Sequence, residues 1–546
     1  MSRSGALPAP PARRTALLIA LCFVVLFLGS WSRALWDIDE GMHAATSLDM
    51  VRTGDWVTPR VNGEPFYDKP PLFNWLVALS LVVFGANEFA ARLPGVLLGL
   101  GVVLMTYGFG RRMIGDRGAF LGAVVLATSL AFIAISRAVV HDMALVFFVT
   151  VSTFALYRAW DAEENRTAYL LLAYVSAGFG ILTKGPLAVL LPGAVMLIFL
   201  AIRRDLRFLL KMKLVLGAVV TLAVAVPWYA LVAMGEDTFL GHFLLRQNVG
   251  NFLSATPRHP EPFWFYAEVL LVGFLPWSFF LPLAVTAAVR RPGGVGPART
   301  FLLVWATFVF VFFSAASSKL PTYVLPMFPA AALLVGDLWD RAFSTQEAPR
   351  RWTMVLSWLP VAVLVLSGVA YLMILSVRHP EIRADLPSVH LYGIYAILLS
   401  GVMVSAFFLV RGRYRALFAT MAGFVVAFVV FAVVVVFPWV DGYRSSKTIA
   451  LRLDGLLPPG EEITSYGRRK DSALFYTDRR ERILGTSSEV VGHLSRPGAL
   501  CLTDDSRLEE IESAAGRADA YRIVDRYGNK VILEGVRRPQ GTETTM

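Results

Sequence analysis

The sequence predicts a polytopic α-helical membrane protein with a small α/β domain at its C-terminal end. Three observations predict it. Of 546 residues, 56% are hydrophobic and only 17% are charged, with a mean hydropathy of +0.59, whereas a soluble chain carries about 25% charge. The apolar residues gather in long runs such as 16–31, 214–233 and 415–438, and a bilayer core takes about 20 apolar helical residues per crossing. The pattern then changes sharply after position 439. Together these exclude a soluble enzyme, a disordered chain and a disulfide scaffold.

The chain opens on a Pro/Ala-rich stretch with Arg3, Arg13 and Arg14. The run behind it ends in Gly29-Ser30-Trp31-Ser32 rather than a small-residue cleavage site, so 16–31 reads as a retained first span. Thirteen further runs follow, near 72–86, 93–110, 118–136, 143–160, 168–183, 186–202, 214–233, 264–289, 299–317, 321–340, 353–376, 389–411 and 415–438. Arg/Lys-rich joints lie at 111–117, 203–213, 290–299, 341–351 and 411–415. The positive-inside rule places such joints, and the N-terminus, on the cytoplasmic side. All fall there only if 72–86 does not cross. It is short, carries Asn74 and follows Pro70-Pro71, so it is expected to lie at the membrane surface. That leaves about thirteen spans and turns 32–92, 137–142, 184–185, 234–263, 318–320, 377–388 and the tail outward.

The net charge of +11 is then a matter of topology and anionic lipid rather than of nucleic acid. The two cysteines, Cys22 and Cys501, sit at opposite ends of the chain, and no zinc or Walker-type spacing occurs. The division expected is a membrane domain over 1–439 and an α/β domain over 440–546. In the latter, short apolar runs alternate with charged helical stretches, and Tyr527-Gly528-Asn529-Lys530 reads as a hairpin.

Ionisable groups near a membrane are expensive, so they carry the functional information. The first outward loop holds Asp37, Asp39, Glu40 and His43. Met42, Ala45, Leu48 and Val51 recur every third residue, which suits an amphipathic helix on the membrane surface. Asp39 and Glu40 would open that helix, where its dipole favours negative charge. Asp37 reads as a solvated neighbour. Further along lie Asp68-Lys69, Asp142 at a span mouth, Lys184 between two spans, His242 and Arg246 in the largest loop, and Lys319 with Tyr323. Charge alone assigns all of them to one side. Acids and cations at one depth suit chemistry on a phosphate-bearing lipid, the acids as base or metal ligand and the cations as phosphate grips.

These motifs, in this order, resemble the GT-C-fold glycosyltransferases of the protein O-mannosyltransferase superfamily, especially the bacterial aminoarabinose transferases of lipid A. The resemblance rests on Asp39-Glu40 after the first span, Asp68-Lys69-Pro70, Asp142-Met143, Thr183-Lys184-Gly185-Pro186 and Lys319 to Tyr323-Val324-Leu325-Pro326. It implies that Asp39, Glu40 and Asp142 are catalytic. It implies that Lys69, Lys184 and Tyr323 bind the lipid phosphate, and Arg246 and Lys319, read from their charge and outward placement, are expected to bind it with them. Asp68 and His242 would hold a divalent metal ion. This chain departs from the family's pattern at Gly41-Met42-His43, where the relatives carry Arg and Tyr, and has Asp68 where they have Glu.

The function expected is an integral membrane glycosyltransferase of the cytoplasmic membrane. It would move a single sugar, with inversion, from a polyprenyl-phosphate donor to a lipid A-like acceptor at the outer face. Alternatives are a protein O-mannosyltransferase or other envelope glycan transferase and, in another class, a flippase for lipid-linked sugars. A flippase more often carries mid-span charges and internal repeats.

Overall fold

The computed structural model describes residues 11–162, 164–235, 259–290, 294–344, 349–378, 388–516 and 521–536. Two compact units emerge: Met1–Ser30, Tyr67–Phe73 and Arg92–Val433 form one; Trp31–Phe66, Asn74–Ala91 and Val434–Met546 form the other. This division differs from the expected break at 439/440, because most of the first loop groups with the C-terminal residues.

Among the described residues the first unit is built mainly of helices. Among the described residues, nine helices are long and apolar enough to cross a membrane. A tenth arises if Asp116–Ala127 and Leu130–Ser136, bent by 65° at Thr128-Ser129, form one span. Shorter apolar helices run over Leu187–Ile202 and Phe280–Val289. Each of the thirteen runs expected to cross falls on a helix or a broken pair of helices. The run at 72–86 forms Leu72–Phe84, of 13 residues. At 1.5 Å per residue it is about 20 Å long, short of a bilayer core of about 30 Å.

Small residues set the closest helix packing. A Cβ on Gly336 would lie 2.4 Å from the Gly118 carbonyl and from the Gly122 nitrogen, the small-residue contact that brings membrane helices together. Arg299 and Arg341 share the buried Asp337, at 2.6 and 3.0 Å. Five large aromatic residues, Trp277, Phe280, Trp339, Phe343 and Phe418, pack edge to face or tilted about one another. An apolar cleft is lined by Leu130, Leu275, Trp358, Val402 and Phe424 among others.

The second unit has a hairpin, β1 (Arg60–Val61) and β2 (Glu64–Pro65), and a five-stranded sheet. The sheet strands are β3 (Ile463–Tyr466), β4 (Glu481–Leu484), β5 (Leu500–Asp504), β6 (Tyr521–Tyr527) and β7 (Lys530–Gly535). Their order is β4-β3-β5-β7-β6. β3 runs parallel to β4 and β5, and β7 is antiparallel to β5 and β6. The expected hairpin is there, with Tyr527 opposite Lys530. The sheet core is Val490, Cys501, Ile511, Val531 and Leu533 on one side and Ile449, Ile463, Ala473, Leu502 and Ile532 on the other.

The helix of the first loop, Asp39–Thr53, is covered by protein, where the sequence suggested a solvated polar face. Glu40, Gly41, His43 through Leu48 and Met50 are all buried. It packs on the helix Asp471–Tyr476 of the same unit. The hairpin tip joins in: Asn62 donates to the Glu481 carbonyl and accepts from its N–H, both at 2.7 Å. Its amide thereby imitates a strand partner along the edge of β4.

Candidate active site

In the first unit, helix ends bring opposite charges together. Asp142 begins the helix Asp142–Asp161, and Lys184 ends the antiparallel helix Arg166–Lys184. A carboxylate suits a helix N-terminus and an ammonium suits a C-terminus, so neighbouring helices present them to each other. Lys184 Nζ lies 2.7 Å from Asp142 Oδ1, with both side chains largely buried. Gly185 then takes φ +79° and Pro186 precedes the next helix. That positive φ stops the helix at Lys184.

Tyr323 sits in the tight turn Pro321–Met327. Its ring lies 4.9 Å from Lys184 Nζ and 5.5 Å from the Phe313 ring. The Thr322 hydroxyl hydrogen-bonds to Asp142. Lys69 Nζ lies 2.6 Å from Asp68 Oδ2, just ahead of Pro70-Pro71, which hold the chain extended. Asp68, Lys69 and Asp142 all act electrostatically on the Tyr323 hydroxyl. Five sequence-predicted residues thus converge: Asp68, Lys69, Asp142, Lys184 and Tyr323. Each ammonium is balanced by one carboxylate, an arrangement in which a phosphate can share or replace a partner.

Lys319 is engaged differently. It is buried, and its ammonium donates to the Glu261 carbonyl at 2.9 Å. With the Pro260–Ser318 bridge, it ties the segment 259–261 to the turn before Tyr323. His242 and Arg246 lie outside the described residues. Among the described residues no group of three or more His, Cys, Asp or Glu converges as a metal cage. Asp68 is the one described member of the expected metal pair, and it is salt-bridged to Lys69.

In the second unit, Asp39 is the exposed first residue of its helix. Glu40 is buried, and Arg33 Nη2 donates to both of its oxygens, at 2.9 and 3.1 Å. The Trp36 N–H donates to it as well, at 3.1 Å. The Arg33 guanidinium stacks 4.3 Å over the Trp36 ring, and Trp36 Nε1 donates to Asp441 at 2.7 Å. Asp37 corrects its sequence reading as a solvated neighbour. Its carboxylate accepts from Ser472 N at 2.7 Å and from Ser446 Oγ at 2.6 Å.

Sequence reasoning passed over Thr322, Arg33, Asp441, Ser446 and Ser472. Thr322 stands inside a motif already singled out. The other four lack any local pattern, because their partners are adjacent only after folding.

The protein-family model described as dolichyl-phosphate-mannose-protein mannosyltransferase matches residues 68–230. A relative from Pseudomonas fluorescens, undecaprenyl phosphate-alpha-4-amino-4-deoxy-L-arabinose arabinosyl transferase 1, is 32% identical over 405 residues, 72% of this chain and 71% of the relative. A relative of the same description from Pseudomonas paraeruginosa is 34% identical over 365 residues, 66% of each chain. The chain therefore spans slightly under two thirds of that relative's length. The crystal structure of ArnT from Cupriavidus metallidurans bound to undecaprenyl phosphate aligns with a TM-score of 0.78 at 23% identity, covering 96% of this chain and 99% of that one. The archaeal oligosaccharyltransferase AglB from Archaeoglobus fulgidus aligns at 0.54 with 12% identity, covering 95% of this chain and 74% of that one.

The fold is that of the GT-C membrane glycosyltransferases, and the chain is a multi-pass membrane protein. Within that class, it belongs to the family of the undecaprenyl phosphate aminoarabinose arabinosyl transferases.

Proposed function

We propose that this protein transfers a single sugar from a polyprenyl-phosphate donor to a lipid A-like acceptor at the outer face of the cytoplasmic membrane. The observation that carries the reading is the convergence of Lys69, Lys184 and Tyr323 around Asp142. Two ammoniums and a phenol gathered where Asp142 starts and Lys184 ends a membrane helix suit a phosphate that arrives on a lipid.

The acceptor oxygen attacks the anomeric carbon as the bond from that carbon to the phosphate oxygen breaks. The electron pair leaves with the lipid phosphate, and the configuration inverts. Lys69, Lys184 and Tyr323 stabilise the leaving phosphate. Asp39 takes the proton of a hydroxyl acceptor, or orients an acceptor phosphate, which has no proton to give up. Asp142 holds Lys184 in position, and Glu40, clamped by Arg33, fixes the turn that presents Asp39. Asp68 and His242 are the residues that would hold a divalent ion, and no step here runs through one. The apolar cleft lined by Val402 and Phe424 suits a hydrocarbon chain and is read as a seat for the isoprenoid tail.

The test is a gene deletion, with lipid A and membrane-protein glycans compared by mass spectrometry. A sugar missing from lipid A supports the reading. Loss from a protein glycan alone moves the acceptor to protein, and unchanged glycans overturn it.

A further inference from the structure

In the second unit, the chain runs from β3 to β4 on one side and then crosses to β5 on the other. Between β3 and β5 the outgoing connections diverge. In open α/β sheets this point, beyond the carboxyl ends of the strands, is where ligands bind. Lys470 follows β3 and Asp504 ends β5, and they pair across that point at 2.7 and 2.8 Å. Two residues further, Ser472 N–H donates to Asp37 Oδ1, while Ser446 Oγ donates to Asp37 Oδ2. Ser446 and Ser472 are themselves joined, N to Oγ, at 2.9 Å, and the Asp37 N–H donates to the Arg444 carbonyl at 2.8 Å. Asp37, Lys470 and Asp504 also all bear on the buried ammonium of Lys530. Both Asp37 oxygens are thus used, and the chain's own carboxylate sits where such a sheet would receive an anion.

Four residues on, Gly41 rests directly on the same serine. A Cβ there would lie 2.4 Å from Ser472 N and 2.7 Å from its Cα. Glu40 is held from the other direction by Arg33 and Trp36. Asp37, Glu40 and Gly41 are therefore all fixed, and Asp39 between them is left exposed.

We infer that Asp37 is a positioning residue: it inserts into the C-terminal sheet domain as an internal ligand, and that domain thereby sets where the Asp39 carboxylate stands. This inference rests on the proposed role of Asp39. Misplacing a reacting group by about 1 Å can cost on the order of a hundredfold in rate, so a domain that carries no reacting group can still govern turnover.

The experiment uses the full chain, purified in detergent or nanodiscs, with a polyprenyl-phosphate sugar and an acceptor. Asp37→Ala removes both contacts. It should lower kcat by about tenfold or more with donor KM within about threefold, because orientation is lost and not donor binding. Asp37→Asn can still accept from Ser472 N–H and should restore most of kcat. Ser446→Ala removes one contact and keeps Asp37, which covers the case in which Asp37→Ala fails to fold. It should lower kcat by about threefold, again at constant KM. Normal kcat in both Asp37→Ala and Ser446→Ala, beside an inactive Asp39→Asn, overturns the inference and leaves the proposed function standing. An Asp37→Asn as inactive as Asp39→Asn also overturns it, since Asp37 would then act through its charge. Full activity in Asp39→Asn instead overturns the site assigned under the proposed function.

Discussion

Lys184 and Asp142 form a largely buried ion pair, 2.7 Å apart, between the end of one membrane helix and the start of the helix before it. Removing one member of a buried pair leaves an uncompensated charge and costs about 3–5 kcal/mol, whereas removing both is often close to neutral. Lys184→Met should therefore lower thermal stability, and adding Asp142→Asn should recover it. Activity should not recover in the double variant if Lys184 also grips phosphate. Thermal unfolding and turnover of the parent protein, the single variant and the double variant separate the two roles.

Lys69 is less buried than Lys184, so its loss should spare stability. A charge-assisted phosphate contact is worth about 1.5–3 kcal/mol, or about one to two decades in rate when it tightens in the transition state. Lys69→Gln should show that loss in kcat/KM for the donor with an unchanged melting temperature. Normal kinetics would remove Lys69 from the phosphate grip.

Asp39→Asn keeps the size of the side chain and removes its charge and basicity. The expected cost is at least about a hundredfold in turnover, within the range of acid–base catalysis. Asn is as good as Asp at a helix start, so a purely structural Asp39 would leave activity intact. Release of lipid phosphate by the purified protein is the readout.

The apolar cleft offers a test of chain length. Val402 lines it, and Val402→Trp would fill part of it. Donor KM should rise severalfold for a long polyprenyl chain and stay constant for a donor with a two- or three-isoprene tail. An equal effect on both would place the tail elsewhere.

Stability should depend on the protonation of Asp471. Burial pushes this carboxyl up from 3.8 to about 6, with Glu481 and Asp37 adding to the effect and Arg469 opposing it. Between these two values the folded protein holds a proton that the unfolded chain has released. Stability from this group is therefore greatest below about pH 4, falls as pH rises towards 6, and is level above that. The whole effect is at most about 3 kcal/mol. Asp471→Asn should raise the melting temperature at pH 7.5 and give no gain at pH 4. A gain of the same size at both would assign it to packing.

Much of the first unit was legible because its signals are local. A run of about 20 apolar residues must be a helix in a bilayer, and Thr183-Lys184-Gly185-Pro186 encodes a helix stop in four adjacent residues. Tyr527 to Lys530 likewise declares its turn. The second unit hid its plan. The apolar spacing from Met42 to Val51 is real, but it describes a helix packed on protein as well as one lying on lipid. Asp37 looked solvated because its partners, Ser446 and Ser472, are more than 400 residues away. The clamp on Glu40 left no local signal, because nothing in sequence says that Arg33 will fold back onto it.

The clasp between Asn62 and Glu481, 419 residues apart, has a consequence for synthesis. Domains form as the chain emerges, at about 5–20 residues per second. The first loop is made more than 400 residues before its partner strand. For on the order of 20–80 s the Asp37–Gly41 segment waits without its seat. A polypeptide that stops short of Ser472 could carry every membrane helix described here and still lack an ordered acidic helix. Transfer activity should then begin only once synthesis has passed Ser472 and Glu481, so that truncated products accumulating in the membrane would not discharge the lipid-linked sugar.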